Sequence, residues 1–176
     1  WCFTTDDFSH VFDVLRNPKL VESPDLVLNV SGWNLSTVTN LSHAFRGRDE
    51  MEHVLIIGME DWDTSLVEDM TQTFRGLPGG DLDLSGWITS SVVTLQDTFR
   101  DLHNTSILGV ELWDVSSVSD FSGLFREAWE MNPDVGSWNM TSATTISRMF
   151  HEAWSFEGMG VDAWDTTGVT DMSHTF

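Results

Sequence analysis

Apolar residues recur along the chain in one fixed frame. Trp113–Phe125, WDVSSVSDFSGLF, shows it best: a Trp, apolar residues five and eight positions later, and a Phe at twelve. The frame returns in Trp33–Phe45, Trp62–Phe74, Trp87–Phe99, Trp138–Phe150 and Trp164–Phe176. The copies begin 29, 25, 26, 25 and 26 residues apart. A constant period in this range marks supersecondary units that bury their apolar faces on one another, so a solenoid is expected. The six Trp and six Phe are its repeat core.

Each unit divides in two. Five and three residues before the Trp stand Leu28 and Val30, Ile57 and Met59, Leu82 and Leu84, Leu108 and Val110, Pro133 and Val135, Met159 and Val161. Period-two apolar residues predict a short strand with one face inward, and like units stack such strands in parallel. Pro133 is expected at a strand start. After the Trp, Val118, Phe121 and Phe125 suggest a short helix, its last two members sharing a face at i, i+4. Thr39, Ser119, Thr144 and Thr170 stand where its N-cap belongs. Asp69, Asp120 and Asp171 follow in its first turn, and Arg46, Arg75, Arg100, Arg126 and His151 lie near its C-terminal end, both suited to the helix dipole. The expected class is α/β, one short parallel strand plus one short helix per repeat of 25–26 residues.

Phe8 and Phe12 repeat the spacing of Phe121 and Phe125, so residues 1–27 read as an N-terminal cap holding a degenerate repeat. Residues 28–176 form the six-repeat solenoid, expected to continue beyond Phe176 because the last unit lacks a cover. The chain opens at Trp1 rather than Met, as a processed form or a fragment would.

Composition narrows the partners. A net charge of −20 with eight Lys plus Arg argues against nucleic acid and anionic membranes. It favours cations or a protein partner with a basic surface. The longest aliphatic run is Val54–Ile57, far short of a membrane span. Cys2 is the only cysteine, so no internal disulfide forms.

Two copies, WDVSSVSDFSGLFREAWEMNPDVGSW and WNMTSATTISRMFHEAWSFEGMGVDAW, resemble the repeats of the BspA-type leucine-rich-repeat surface proteins. That family was first catalogued as a domain of unknown function in mycoplasma lipoproteins. The resemblance spans residues 28–176 and departs at the insertion around RGRDEMEH and in the cap. It implies a right-handed strand-and-helix solenoid on a cell surface, used for adhesion and protein contact, and it carries no catalytic residues over.

The units alternate. Odd copies begin SGW, SGW and GSW, and even copies EDW, ELW and DAW. The residue after the Trp runs Asn34, Asp63, Ile88, Asp114, Asn139, Asp165, and the seventh runs Asn40, Asp69, Thr94, Asp120, Thr145, Asp171. Each acid is flanked by neutral neighbours, which keeps like charges off adjacent strands. Ahead of the Trp, acids occupy one column in odd copies (Asp83, Asp134) and another in even copies (Glu60, Glu111, Asp162). This predicts an acidic checkerboard on one open sheet face. These five are candidates for a basic partner or weak Ca²⁺ binding, though no DxDxDG-type loop exists. A solvated face that resists aggregation is the simpler account.

Trp129 and Trp154 lie outside the repeat frame, one unit apart, and are partner-binding candidates. Among five N-x-S/T sequons, Asn104 is the glycosylation candidate, placed in a loop before a strand. No nucleophile or phosphate-loop motif occurs. The reading is a non-enzymatic repeat scaffold for protein or surface interaction, extracellular or at the cell surface, or in an organelle lumen within a larger complex. The alternatives are a weak cation or glycan module, or an accessory domain of an extracellular hydrolase using carboxylates such as Glu60 with Asp83.

Overall fold

The computed structural model describes residues 6–11, 26–47 and 53–176. Cys2, Phe12, most of the N-terminal cap and residues 48–52 of the insertion lie outside them. Among the described residues four strands form: β1 (Leu26–Asn29), β2 (Val54–Ile57), β3 (Pro78–Asp83) and β4 (His103–Leu108). They make two small parallel sheets, β1–β2 and β3–β4. The 3₁₀ helices Val110–Leu112 and Val161–Ala163 follow.

Successive units pair in parallel, in sequence order, through one residue each: Asp7, Asn40, Asp69, Thr94, Asp120, Thr145 and Asp171. This is the column seven after the Trp, extended back by Asp7. Carboxylates therefore occupy alternate rungs of the ladder, where they avoid adjacent like charges. Inside, Phe45, Phe74, Phe99, Phe125, Phe150 and Phe176 stack on one another with centroids 5.5–5.9 Å apart. Trp62, Trp87, Trp113 and Trp138 are buried beside them, Trp33 and Trp164 are half-buried, and Phe176 is exposed. Trp62, Trp87, Trp138 and Trp164 each donate the indole N–H to a carbonyl of the preceding unit.

The expected helix does not form: no α-helix occurs among the described residues. The segment after each Trp is instead a run of tight turns. Backbone φ is positive at His43, Gln72, Asp97, Gly123, Arg148 and His174, and again four residues on at Gly76, Asp101, Glu127 and Glu152. An α-helix requires negative φ throughout. Alternate amides close i→i−3 turns, as Leu124 to Phe121 at 3.2 Å, while those between them reach the next unit, as Gly123 to Ser147 at 2.8 Å and Phe125 to Met149 at 2.9 Å. Four-residue turns return Phe121 and Phe125 to one side, so they imitate the i, i+4 signature of a helix. The N-cap candidates do other work. Thr39, Ser119, Thr144 and Thr170 donate their hydroxyls to carbonyls of the preceding unit.

The strand frame also shifts between odd and even units. Leu28 pairs with Ile56 and Leu82 with Ile107, so the inward residue lies five before the Trp in odd units and six before it in even ones. Ile57, Leu108 and Met159, expected inward, are exposed. A left-handed glycine takes up the extra residue: Gly58, Gly109 and Gly160, at φ 91°, 93° and 79°. No strand forms around Pro133 or Met159. Pro133 lacks the N–H that would open a ladder there.

Candidate interaction surface

The acids sit on turns. Asp63, Asp114 and Asp165 accept the N–H of the residue two positions on through Oδ1, at 3.0–3.1 Å, as Asn34 and Asn139 do. Asp69, Asp120 and Asp171 do the same at 2.8–2.9 Å. Such side chains mimic a backbone turn. For Asp63, Asp83, Asp114 and Asp165 the Ser or Thr hydroxyl two residues on, then its amide, holds the carboxyl below the usual range.

Only Asp83 of the five checkerboard acids lies in a strand, at the end of β3. Asp134 lies outside any strand, with Oδ1 accepting the Gly136 N–H at 3.1 Å. Glu60 follows β2 and accepts the Gly58 N–H at 3.0 Å. Glu111 and Asp162 fall in the 3₁₀ helices. The expected acidic checkerboard on one sheet face is therefore not what forms, because the glycine at each even unit turns its acid off the strand. The exposed strand face instead mixes Val27, Leu55, Ile57 and Leu108 with Asn29, Asp81, Asp83 and Ser106. Among the described residues, no three His, Cys, Asp or Glu side chains converge as a metal set.

Trp129 and Trp154 meet outside the core. Their rings stack 5.2 Å apart at 6°, and His103 lies against Trp129 at 4.3 Å. The column continues to Pro78, the register partner of His103. All four stand sixteen residues after a repeat Trp, a signal that would have added Pro78 and His103 from the sequence. In this stack Trp129 has its faces occupied by His103 and Trp154. Trp154 is 74% exposed.

An open cleft of about 500 Å³ lies beside β4. Asn104, Thr105 and Ile107 of β4 form one wall, and Glu130, Met131 and Pro133 form another. Asp81, hydrogen-bonded to Ser106, and Glu111 add carboxylates. Asn104 lies inside β4 rather than in a loop ahead of it, exposed and at φ 52°. Its amide N–H reaches Glu130 Oε2 at 3.5 Å. A glycan at this sequon would stand in the cleft.

The arginine column forms an ion-pair ladder across units. Arg75 meets Asp101 at 3.2 Å, Arg100 meets Asp101 at 3.4 Å and Glu127 at 3.5 Å, and Arg126 meets Glu127 at 2.8 Å. Burial pushes the Asp101 carboxyl up, but a hydrogen bond with Glu127 and the charges of Arg100 and Arg75 outweigh it and hold the carboxyl low. Glu127 moves the other way, raised by that hydrogen bond, by burial and by the charge of Asp101. The folded chain thus binds the Glu127 proton more tightly than the unfolded chain does. Its contribution to stability is present in acid and is lost as pH rises from about 4.5 through its folded value. Glu127→Gln keeps the neutral form, so its melting temperature at pH 7 should equal or exceed that of the parent. Thermal melts across pH should show the gap closing below about 4.5.

Among the described residues, no helix is long and apolar enough to cross a membrane. The family model described as "Mycoplasma protein of unknown function, DUF285" matches residues 17–107 and 80–176. No curated protein and no solved structure matches the chain.

Proposed function

The chain belongs to this mycoplasma-type family, and on that premise we propose that it is a non-enzymatic interaction scaffold. In this reading the stacked units make a right-handed, leucine-rich-repeat-like solenoid of the BspA type. It stands at a cell surface or outside the cell, or in an organelle lumen as part of a larger assembly, and it holds a protein partner with a basic surface.

One observation carries the reading. The units repeat their hydrogen bonds rung after rung, and the regularity lapses beside β4, where an open cleft carries the carboxylates of Asp81, Glu111 and Glu130. Regular acids close turns, which is structural work, whereas a departure from the repeat is where a partner can be selected. The hydrolase alternative has less to draw on, since Glu60 and Asp83 are each engaged by a neighbouring backbone amide. Turnover of any polysaccharide in a substrate panel, lost in Asp83→Asn, would reverse that preference.

The test is affinity capture with the whole chain immobilised. The expected result is retention of a discrete set of basic proteins at low salt, released as salt rises. Retention of nothing even at low salt would make the chain a spacer.

A further inference from the structure

We propose that the outer edge of β4 takes up one extended, lysine- or arginine-bearing polypeptide segment as an added strand. This inference rests on the scaffold reading and names the chemistry of its partner.

Among the described residues, β4 is paired on one side only. In its ladder with β3, Leu84 N–H donates to Leu108 O at 2.9 Å, which points the backbone groups of Leu108 at β3. Along a strand the backbone groups alternate sides. The N–H and C=O of Thr105 and Ile107 therefore face the opposite edge, into the cleft. Across the cleft runs 131–135, which contains Pro133 and forms no strand. Among the described residues, no backbone hydrogen bond joins that segment to β4. An unpaired edge of this kind is a template for another strand. Its volume of about 500 Å³ falls within the range of about 300–1,000 Å³ typical of ligand sites.

The lining selects what can enter. Asp81, Glu111 and Glu130 supply three carboxylates, and no Lys, Arg or His lines the cleft. The net charge of −20 adds long-range attraction for a cationic segment and repels an acidic one. Val110, Met131 and Pro133 give apolar contacts to the side chains on one face of such a strand. The fitting segment therefore alternates apolar and cationic residues.

The probe is a capped six-residue peptide of alternating Lys and Val, titrated into the whole chain and followed by backbone amide NMR. Two controls accompany it: the Glu–Val counterpart, and the Lys–Val peptide N-methylated at alternate amides so that it cannot pair. The Lys–Val peptide should bind and shift the Thr105 and Ile107 amides. Both controls should bind at least about tenfold more weakly, and Glu130→Gln should weaken the Lys–Val peptide about fivefold. Equal binding of the N-methylated peptide would reduce the interaction to charge attraction and overturn the proposal. So would shifts confined to other surfaces, or no binding. A captured partner that holds undiminished to Glu111→Gln/Glu130→Gln sinks this inference while leaving the scaffold reading standing. Capture of nothing sinks the scaffold reading itself.

Discussion

Phe99→Ala should destabilise the chain by about 3–5 kcal/mol, as large-to-small changes at fully buried aromatics do. Phe99 is fully buried, stacked on Phe74 at 5.8 Å and on Phe125 at 5.6 Å, with Trp113 at 5.6 Å. Removing its ring opens a cavity in the middle of a continuous aromatic column. The neighbours cannot close over it, because each is tied to the next unit by backbone bonds, Phe74 N–H to Thr98 O at 3.0 Å and Phe125 N–H to Met149 O at 2.9 Å. Since a stacked array gains stability from contacts between neighbouring units, a break at the third of six separates the units on either side. Denaturant unfolding followed by tryptophan fluorescence should show a lower midpoint and a broader transition. Phe176→Ala is the control: that ring is 73% exposed, and its loss should stay within about 0.5 kcal/mol. Equal effects at the two positions would mean that the Phe column is not what holds the units together.

Gly109→Ala should cost about 3 kcal/mol or more. Its φ of 93° is a conformation that costs an L-residue roughly 1–2 kcal/mol. The added methyl would also fall onto the backbone of Ser85 in the preceding unit, which must then move. Gly32→Ala separates the two causes. Its φ is 77°, but nothing lies within 4 Å of the position a Cβ would take, so only the conformational share, about 1 kcal/mol, should appear. Thermal melts of the two variants at one pH measure the difference. A Gly109→Ala protein as stable as the parent would refute the tight approach of units three and four.

Much of this architecture is legible in the residues. The Trp-to-Phe frame is enough to place stacked units, because only a repeated side-chain column can be buried by copies of itself. The odd–even alternation is also legible. The structure gives it a backbone form, with even units carrying a left-handed glycine before the Trp and odd units lacking one at that place. The helix misleads for a physical reason: periodicity records which side chains point inward, and period-four turns and a 3.6-residue helix point the same ones. Positive φ is what distinguishes them, and at Gln72 and Arg148 the residue type carries no strong signal of it.

The candidate surface divides likewise. Trp129 and Trp154 stand out in the sequence, yet only side-chain geometry shows that they stack on each other and that His103 lies against Trp129. The carboxylates of the cleft come from three different units, and Pro133 opens it by what it fails to continue. By itself the sequence determined the repeat, its Trp and Phe columns and the alternation of charge, since each depends on the spacing of residue types along one chain. The tertiary structure alone decided that turns replace helices, that the even-unit acids Glu60, Glu111 and Asp162 leave the strands and that β4 keeps an open edge. Those outcomes depend on which backbone amides find a partner in the neighbouring unit, a matter settled across units and not within them.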